Sequence, residues 1–350
     1  MAILASGFSE RGYGVNLVLA SAKGPYLADV GDGVRVVDLD AGSIAMSALP
    51  LARYLRDERP RTILSAMSHA NVVACFAKRM ARSDARLVVS ERLSFAAARE
   101  HSRGLRDRIV HKLMRPAYRH AQMIVVVAEA MIDEMVDLLG LPRERIVCIY
   151  NPVVDACLLA NAAMPNDHPW LADTSDIPVV LGCGRLTAQK DFSTLIEAFA
   201  ILRQQREARL LILGEGGDRR ELEELIERRG LVNDVSLPGF ASNPFSYMRR
   251  AGVFVLSSIY EGMPGALIQA MACGAPVIST DCPTGPDEIL EHGRWGRLVP
   301  ARDARAMAQA ILETLDAPET ALVRAEAFAR DAAVTRYLAA LGLEPHAPKR

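Results

Sequence analysis

The sequence predicts an α/β protein built from two Rossmann-like, doubly wound domains, each on a parallel sheet. Two observations carry this. Short Val/Ile/Leu-rich runs alternate with longer helical patterns along the whole chain, as in parallel strands joined by crossover helices. One turn-rich, aperiodic stretch, Met164 to Asp176, interrupts the series, so each side carries its own βα succession. A length of 350 residues suits two domains, and half the residues are apolar, enough for sizeable cores.

Strands are predicted at 15–20, 34–39, 62–66, 86–90, 123–127 and 145–149 in the first half. The second half adds 178–183, 209–213, 234–237, 253–256 and 276–279. These runs are near-continuous Val, Ile and Leu, as expected when both faces of a strand are covered. Helices are predicted at 51–57, 70–81, 130–139, 192–205, 219–229, 266–273 and 304–315. The expected domains are 1–165 and 177–318, joined by a linker at 166–176. A closing helix near 319–341, within a terminal segment 319–350, is compatible with either domain. The start departs from the pattern. Ile3, Leu4 and Phe8 have helical spacing that ends at Gly12-Tyr13-Gly14, where a doubly wound domain normally opens with a strand and a loop. The first domain is therefore read as lacking its first strand, or else as simply beginning with a helix.

Composition excludes several classes. Lys and Arg number 41 against 42 Asp and Glu, a balance unlike that of a general nucleic-acid binder. The cysteines at 75, 148, 157, 183, 273 and 282 form no Cys-x-x-Cys pair. They read as small core residues of a reduced protein, with no disulfide framework or metal site. No apolar run approaches the roughly 18 residues that span a bilayer. No basic region precedes the apolar start, so a cytoplasmic protein is expected. Walker-type, His-Glu-x-x-His and Gly-x-Ser-x-Gly patterns are missing from the sequence, which leaves NTPase and hydrolase readings without a nucleus.

Two segments carry chemistry. Gly182-Cys183-Gly184-Arg185 runs through to Lys190-Asp191 between a strand and a helix. Glycine lets a backbone approach a ligand closely, and Arg185 and Lys190 sit beyond a strand's C-terminal end, where open α/β sheets bind ligands. The pair suits a pyrophosphate, or is a solvated pair in a βα turn. In Ser257 to Gly274 a strand again leads through a Gly/Pro loop into a helix whose unpaired N–H groups suit an anion. Glu261 stands just before that helix as an acceptor for sugar hydroxyls. Gln269 lies one turn inside it, as a second such contact or a polar residue on a helix face. Leu213 to Asp218 reads as a Gly-rich turn into a capped helix. In the first half, Ser68-His69-Ala70-Asn71 and Ser90-Glu91-Arg92 follow strands. His69 is a site or a structural histidine, and Glu91 with Arg92 reads as an internal ion pair. Arg99–Arg119 interleaves seven Lys and Arg with Leu105, Ile109, Val110, Leu113 and Met114, which suits an anionic membrane surface or a solvated face.

Gly184–Asp191 and Glu261–Gly274 together resemble the C-terminal domain of family 4 retaining glycosyltransferases of the GT-B fold. Tyr150-Asn151-Pro152-Val153, Leu237-Pro238-Gly239-Phe240 and Thr280 to Leu290 extend the resemblance in motif order over most of 60–300. It implies two Rossmann-like domains facing a cleft. It also implies that Arg185 and Lys190 bind the donor diphosphate beside Gly184, and that Glu261 contacts the transferred sugar. Met263, Pro264, Gly265, Ala266 and Leu267 would offer backbone donors to the distal phosphate. Phe240 and Asn243 would border the base, and His69 would stand near the donor sugar. The Thr284 to Asp287 stretch resembles subgroups that build bacterial surface polysaccharides from UDP-sugars.

Two departures stand out. Gln269 replaces the family's second acidic residue, so it hydrogen-bonds ribose without charge. The family's N-terminal strand and Gly-rich loop are not found before the first helix. The implied activity is transfer of a hexose or N-acetylhexosamine from a nucleotide-sugar to a lipid-linked or saccharide acceptor, with retention and without a metal or other cofactor. The expected location is the cytoplasm, with Arg99–Arg119 as the candidate contact to the inner face of the membrane, and the charge balance predicts no nucleic-acid partner. A nucleotide-sugar epimerase of the same fold and a non-catalytic or decayed binding protein are the alternatives.

Overall fold

The computed structural model of the chain describes residues 1–24, 27, 30–92, 105–171 and 177–344. The chain divides into two units, Met1–Pro152 with Arg330–Arg350, and Val153–Ala329. The first unit opens with helix α1 (Ala2–Glu10), then β1 (Val15–Leu19), β2 (Val34–Asp38), α2 (Ala48–Glu58), β3 (Thr62–Ala66) and α3 (Ser68–Ala81). It continues with β4 (Arg86–Ser90), α4 (Leu105–Tyr118), β5 (Met123–Val126), α5 (Ala130–Leu139) and β6 (Ile146–Cys148). The second unit runs α6 (Ala156–Ala162), β7 (Val179–Cys183), α7 (Phe192–Arg203), β8 (Arg209–Leu213), α8 (Arg219–Arg228), β9 (Val235–Gly239) and α9 (Phe245–Arg250). Then come β10 (Val253–Leu256), α10 (Gly265–Ala272), β11 (Val277–Thr280), α11 (Pro286–Leu290), β12 (Arg297–Val299), α12 (Ala304–Asp316) and α13 (Leu322–Ala325). The last helix, α14 (Arg330–Ala340), returns to the first unit.

The second unit is a six-stranded parallel sheet in the order β9-β8-β7-β10-β11-β12. The chain winds outward from β7 through β8 and β9. It then starts again on the other side of β7 with β10, which pairs through Val253 with Val180 and Phe254 with Leu181. That reversal makes the C-terminal ends of β7 and β10 the switch point, the position at which open α/β sheets bind ligands. Leu195, Phe199 and Leu202 of α7, Leu222 and Ile226 of α8, and Met307 and Ile311 of α12 cover the sheet. Such burial, about 25 cal/mol per Å² of apolar surface, holds the strand ends in place.

In the first unit β3-β4-β5-β6 form one parallel sheet and β1-β2 a separate parallel pair. The described chain opens on α1, as the spacing of Ile3, Leu4 and Phe8 predicts. Leu4 and Phe8 pack with Val334, Tyr337 and Leu338 of α14 against Val88 of β4 and Val125 of β5. The two helices cross closely at Gly7, where a Cβ would lie 2.6 Å from Val334.

The unit boundaries differ from the expected ones. Residues 153–165 join the second unit because α6 is tied to the segment around α9. Asn243 donates to the Asn161 carbonyl at 2.8 Å, Arg250 to the Met164 carbonyl at 3.1 Å, and Asn166 to Ser246 at 2.9 Å. Part of the expected linker, 172–176, lies outside the described residues. The closing helix is broken at Ala329, since the Phe328 carbonyl accepts from the Val153 and Val154 amides instead of continuing a helical ladder. Its halves fall in different units. The three-residue β12 and short α6, α9 and α11 had no sequence signal, being too brief to show a period.

One glycine ties the sheet to the loops above it. Gly214 has φ +135°, and a Cβ there would stand 1.9 Å from the Gly184 carbonyl oxygen. Gly214→Ala is expected to displace the loop after β7 at a cost of about 1–3 kcal/mol, read as a lower melting temperature.

Candidate functional site

The site residues of the second unit all leave the C-terminal edge of one parallel sheet. Gly184, Arg185 and Lys190 follow β7, Phe240 and Asn243 follow β9, and Glu261 to Leu267 follow β10 into α10. The Gly184 amide donates to the Leu213 carbonyl at 2.9 Å, and the Gly214 amide to the Gly239 carbonyl at 2.8 Å, so three loops stand in fixed register. Asp191 starts α7 from a left-handed conformation (φ +45°) and caps it through the Thr194 amide and hydroxyl, which turns the chain after Lys190 back down onto the sheet.

The centre is an ion pair between Lys190 Nζ and Glu261 Oε1, 2.5 Å apart, with side-chain exposures of 17% and 8%. Ser258 Oγ donates to the same carboxylate oxygen at 2.6 Å, and Thr284 Oγ1 donates to the Glu261 carbonyl at 2.6 Å. Hydrogen bonds to backbone carbonyls stitch the two loops further. Gln189 donates to the Tyr260 carbonyl at 3.0 Å, Ile259 N–H to the Gln189 carbonyl at 2.8 Å, and Ser257 to the Lys190 carbonyl at 2.7 Å. Two charges taken from water this far are held only when each is paired and hydrogen-bonded, as here. The sequence does not mark Ser258, Gln189 and Thr284 as supports. Nothing in their spacing marks them, since their role depends on β7 and β10 becoming neighbours.

Around this pair the surface offers unspent groups. Arg185 is exposed, and its guanidinium makes no ion pair or hydrogen bond with the described residues. Phe240, 68% exposed, stands just past Gly239 at the end of β9. Helix α10 begins after Pro264 without a side-chain cap, and the space beside Gly265 is open within 4 Å of a built Cβ. Met263 and Leu267 are buried, and Gln269 is half-buried. Asn243 differs from its expected place at the base, because its amide is spent on Asn161. The Cys282 thiol lies nearby, pushed up to about 12 by burial and then by the Glu261 charge. Cys75, Cys148, Cys273 and Cys282 are buried and Cys157 is exposed, and none of them is in a disulfide. Among the described residues no group of three or more His, Cys, Asp or Glu is arranged to hold a metal ion.

His69 belongs to the first unit, in the first turn of α3. The expected pairing of Glu91 with Arg92 is replaced by another arrangement. Glu91, 3% exposed, accepts hydrogen bonds from Ser68, Asn71 and Tyr118. Arg92 reaches the Asn151 side chain and lies over the Tyr337 ring. Successive residues leaving a strand point to opposite sides, so the two cannot share one partner. Burial pushes the Glu91 carboxyl above the usual carboxylate range against these three hydrogen bonds and the nearby Arg92 charge.

The architecture is that of GT-B proteins. The crystal structure of Anabaena HepE in complex with UDP and glucose superposes with a TM-score of 0.79 and 22% identity, covering 97% of this chain and 95% of that one. Residues 2–152 match the glycosyl transferase 4-like domain model, and residues 177–317 match the glycosyl transferases group 1 model. The chain therefore belongs to the group 1, family 4-like glycosyltransferases. It is 28% identical over 252 residues to the N-acetylgalactosamine-N,N'-diacetylbacillosaminyl-diphospho-undecaprenol 4-alpha-N-acetylgalactosaminyltransferase of Campylobacter jejuni, covering 71% of this chain and 66% of that one. It is 27% identical to the amylovoran biosynthesis glycosyltransferase AmsD of Erwinia amylovora, covering 82% and 78% of the two chains. It spans 28% to 66% of the length of three curated relatives it matches.

The ion pair gives a stability test. Lys190→Ala leaves Glu261 as a buried carboxylate without its cation, at an expected cost of about 3 kcal/mol. Adding Glu261→Gln removes that charge, so the double variant should melt above Lys190→Ala alone.

Proposed function

We propose that the chain is a glycosyltransferase that moves a hexose or N-acetylhexosamine from a UDP-sugar to a lipid-linked or saccharide acceptor of cell-surface polysaccharide synthesis. The observation that carries this reading is the Lys190–Glu261 pair at the switch point, with the uncommitted Arg185 on the same loop. The Campylobacter relative is named for an undecaprenol-diphospho-linked acceptor, and Anabaena HepE is described with UDP and glucose. Both fit a diphosphate site of this kind.

In this reading Arg185 and Lys190 hold the donor diphosphate through charge-assisted hydrogen bonds. The uncapped start of α10 adds backbone donors to the distal phosphate. Phe240 stacks on the base, and Gln269 holds ribose as a neutral amide. Glu261 accepts from hydroxyls of the transferred sugar while its other contacts keep it in place. As the glycosidic bond breaks, negative charge grows on the distal phosphate. The cations and helix start stabilise it there, so no metal ion is needed. The departing phosphate takes the acceptor proton on the same face, which gives retention. Nucleotide-sugar epimerisation is separated by analysing products without acceptor.

We place the protein at the inner face of the cytoplasmic membrane. Among the described residues no helix is long and apolar enough to cross a membrane. Residues 99–104 of the expected basic stretch lie outside the described residues. In the rest, α4 exposes Ile109 and Leu113 beside Arg108 and Lys112. Helix α3, which packs on α4, exposes Phe76 and Met80 and carries Lys78 and Arg79 with no acidic residue. Apolar pairs ringed by cations suit an anionic lipid surface.

Two outcomes check these readings. Arg185→Ala should leave the melting temperature unchanged and lower sugar transfer by roughly 10²–10³-fold, the scale of losing one donor to a developing anion; activity kept within a few-fold counts against the diphosphate role. Reversing Arg108, Lys112 and Arg119 to Glu should abolish flotation with anionic liposomes, and unchanged flotation refutes the membrane contact.

A further inference from the structure

The turn between β3 and α3 is a single residue, Met67, held at φ +79° and ψ 132°. This is a left-handed conformation that a bulky non-glycine residue adopts only when its surroundings impose it. The Met67 side chain is 51% exposed, so its own burial does not impose it. The hydrogen bonds around it do. Met67 N–H donates to the Ser90 carbonyl at 3.1 Å, and the Asn71 amide N–H to the Met67 carbonyl at 2.8 Å. Ser68 Oγ donates to Glu91 Oε2 at 2.8 Å. Asn71 Nδ2 donates to Glu91 Oε1 and to the Ser90 carbonyl, each at 2.9 Å. Tyr118 Oη donates to the same Glu91 oxygen from α4, and the Glu91 N–H is fixed to the Val125 carbonyl of β5 at 2.8 Å.

Glu91 thus sits one residue past β4 and grips one side of the first turn of α3. Ser68 and Asn71 are three positions apart and share that side. His69, one residue on from Ser68, is turned about 100° from it at 3.6 residues per turn. Fixing Ser68 and Asn71 therefore sets the direction in which the His69 imidazole leaves the helix. Asn71, Glu91 and Tyr118 are buried and Ser68 is half-buried, and Asn71 Oδ1 has no hydrogen-bond partner, so its geometry is tolerated at a cost.

We propose that Glu91 is a positioning residue of the transfer reaction: by holding Ser68 and Asn71 it keeps the strained Met67 turn in place and aims His69. This rests on the reading of His69 as a site residue. A carboxylate is suited to the task because it accepts all three donors at once. Glutamine accepts from Asn71 and donates to the Ser68 hydroxyl, so it preserves the grip, while alanine removes it.

The test is a set of variants of the full chain, assayed by UDP release from UDP-glucose, UDP-galactose, UDP-N-acetylglucosamine and UDP-N-acetylgalactosamine. Melting curves and NMR of the His69 ring signals accompany the assays. Glu91→Ala should lower kcat by up to about 10²-fold, the effect of a displacement near 1 Å, with donor KM unchanged. Glu91→Gln should restore most of kcat. In the His69→Ala background, Glu91→Ala should add no further loss, since a residue acting through another is not additive with it. Ser68→Ala, a milder change, should show a smaller loss with the same dependence on His69. Without turnover, the His69 ring signals should move in Glu91→Ala and return in Glu91→Gln. Overturning results are a Glu91→Ala protein that melts lower yet keeps kcat and ring signals, or losses that add fully to those of His69→Ala. Full activity in His69→Ala would instead remove the reading of His69 itself, and is seen independently of any Glu91 variant.

Discussion

Lys190 and Glu261 come from loops 71 positions apart in sequence and meet at 2.5 Å because β7 and β10 are neighbours at the reversal of strand order. That contact organises the second unit's upper edge. It orders the loop after β7, fixes the approach to α10, and leaves Arg185, Phe240 and the helix start around it without partners to compete for a ligand. A buried lysine and carboxylate are stable only together, so the pair keeps both side chains ready without spending either on solvent. Its oxygen also accepts from Ser258, whose own carbonyl accepts from Thr280 at 2.5 Å, so the loop is anchored down to β11.

The first unit reaches a comparable arrangement by other means. There the central group is Glu91, a buried carboxyl met by neutral donors rather than by a cation. Both carboxyls follow a strand, and both grip the chain leading into or out of a neighbouring element. A cation neutralises one of them, and neutral hydrogen-bond donors surround the other.

The positions of Arg185, Lys190 and Glu261 were legible in the sequence because each stands in a strand–loop–helix pattern with glycine or proline at the turn. Their direct contact was not, since adjacency of β7 and β10 is a property of topology and not of spacing. The same gap explains Asn243: a loop residue past β9 looks free to meet a base, and only the packing of α6 beside α9 shows its amide committed to Asn161. Glu91 and Arg92 looked like an ion pair because they are adjacent and opposite in charge. The alternation of side chains at a strand end sends them to different partners, Ser68 and Asn71 for one and Asn151 for the other. The closing segment read as one helix because its periodicity runs through Ala329, and only the carbonyl of Phe328, drawn to Val153 and Val154, reveals the break.

That break has a consequence for biosynthesis. Val334, Tyr337 and Leu338 belong to the core that also contains Leu4 and Phe8, so two segments more than 300 positions apart share one hydrophobic interior. Domains usually fold in order as they emerge from the ribosome. Here the first unit keeps apolar surface uncovered until α14 has been made, while Val153–Ala329 precedes α14 in the chain. The second unit can therefore mature before the first, and the nascent first unit is the species that chaperones would meet.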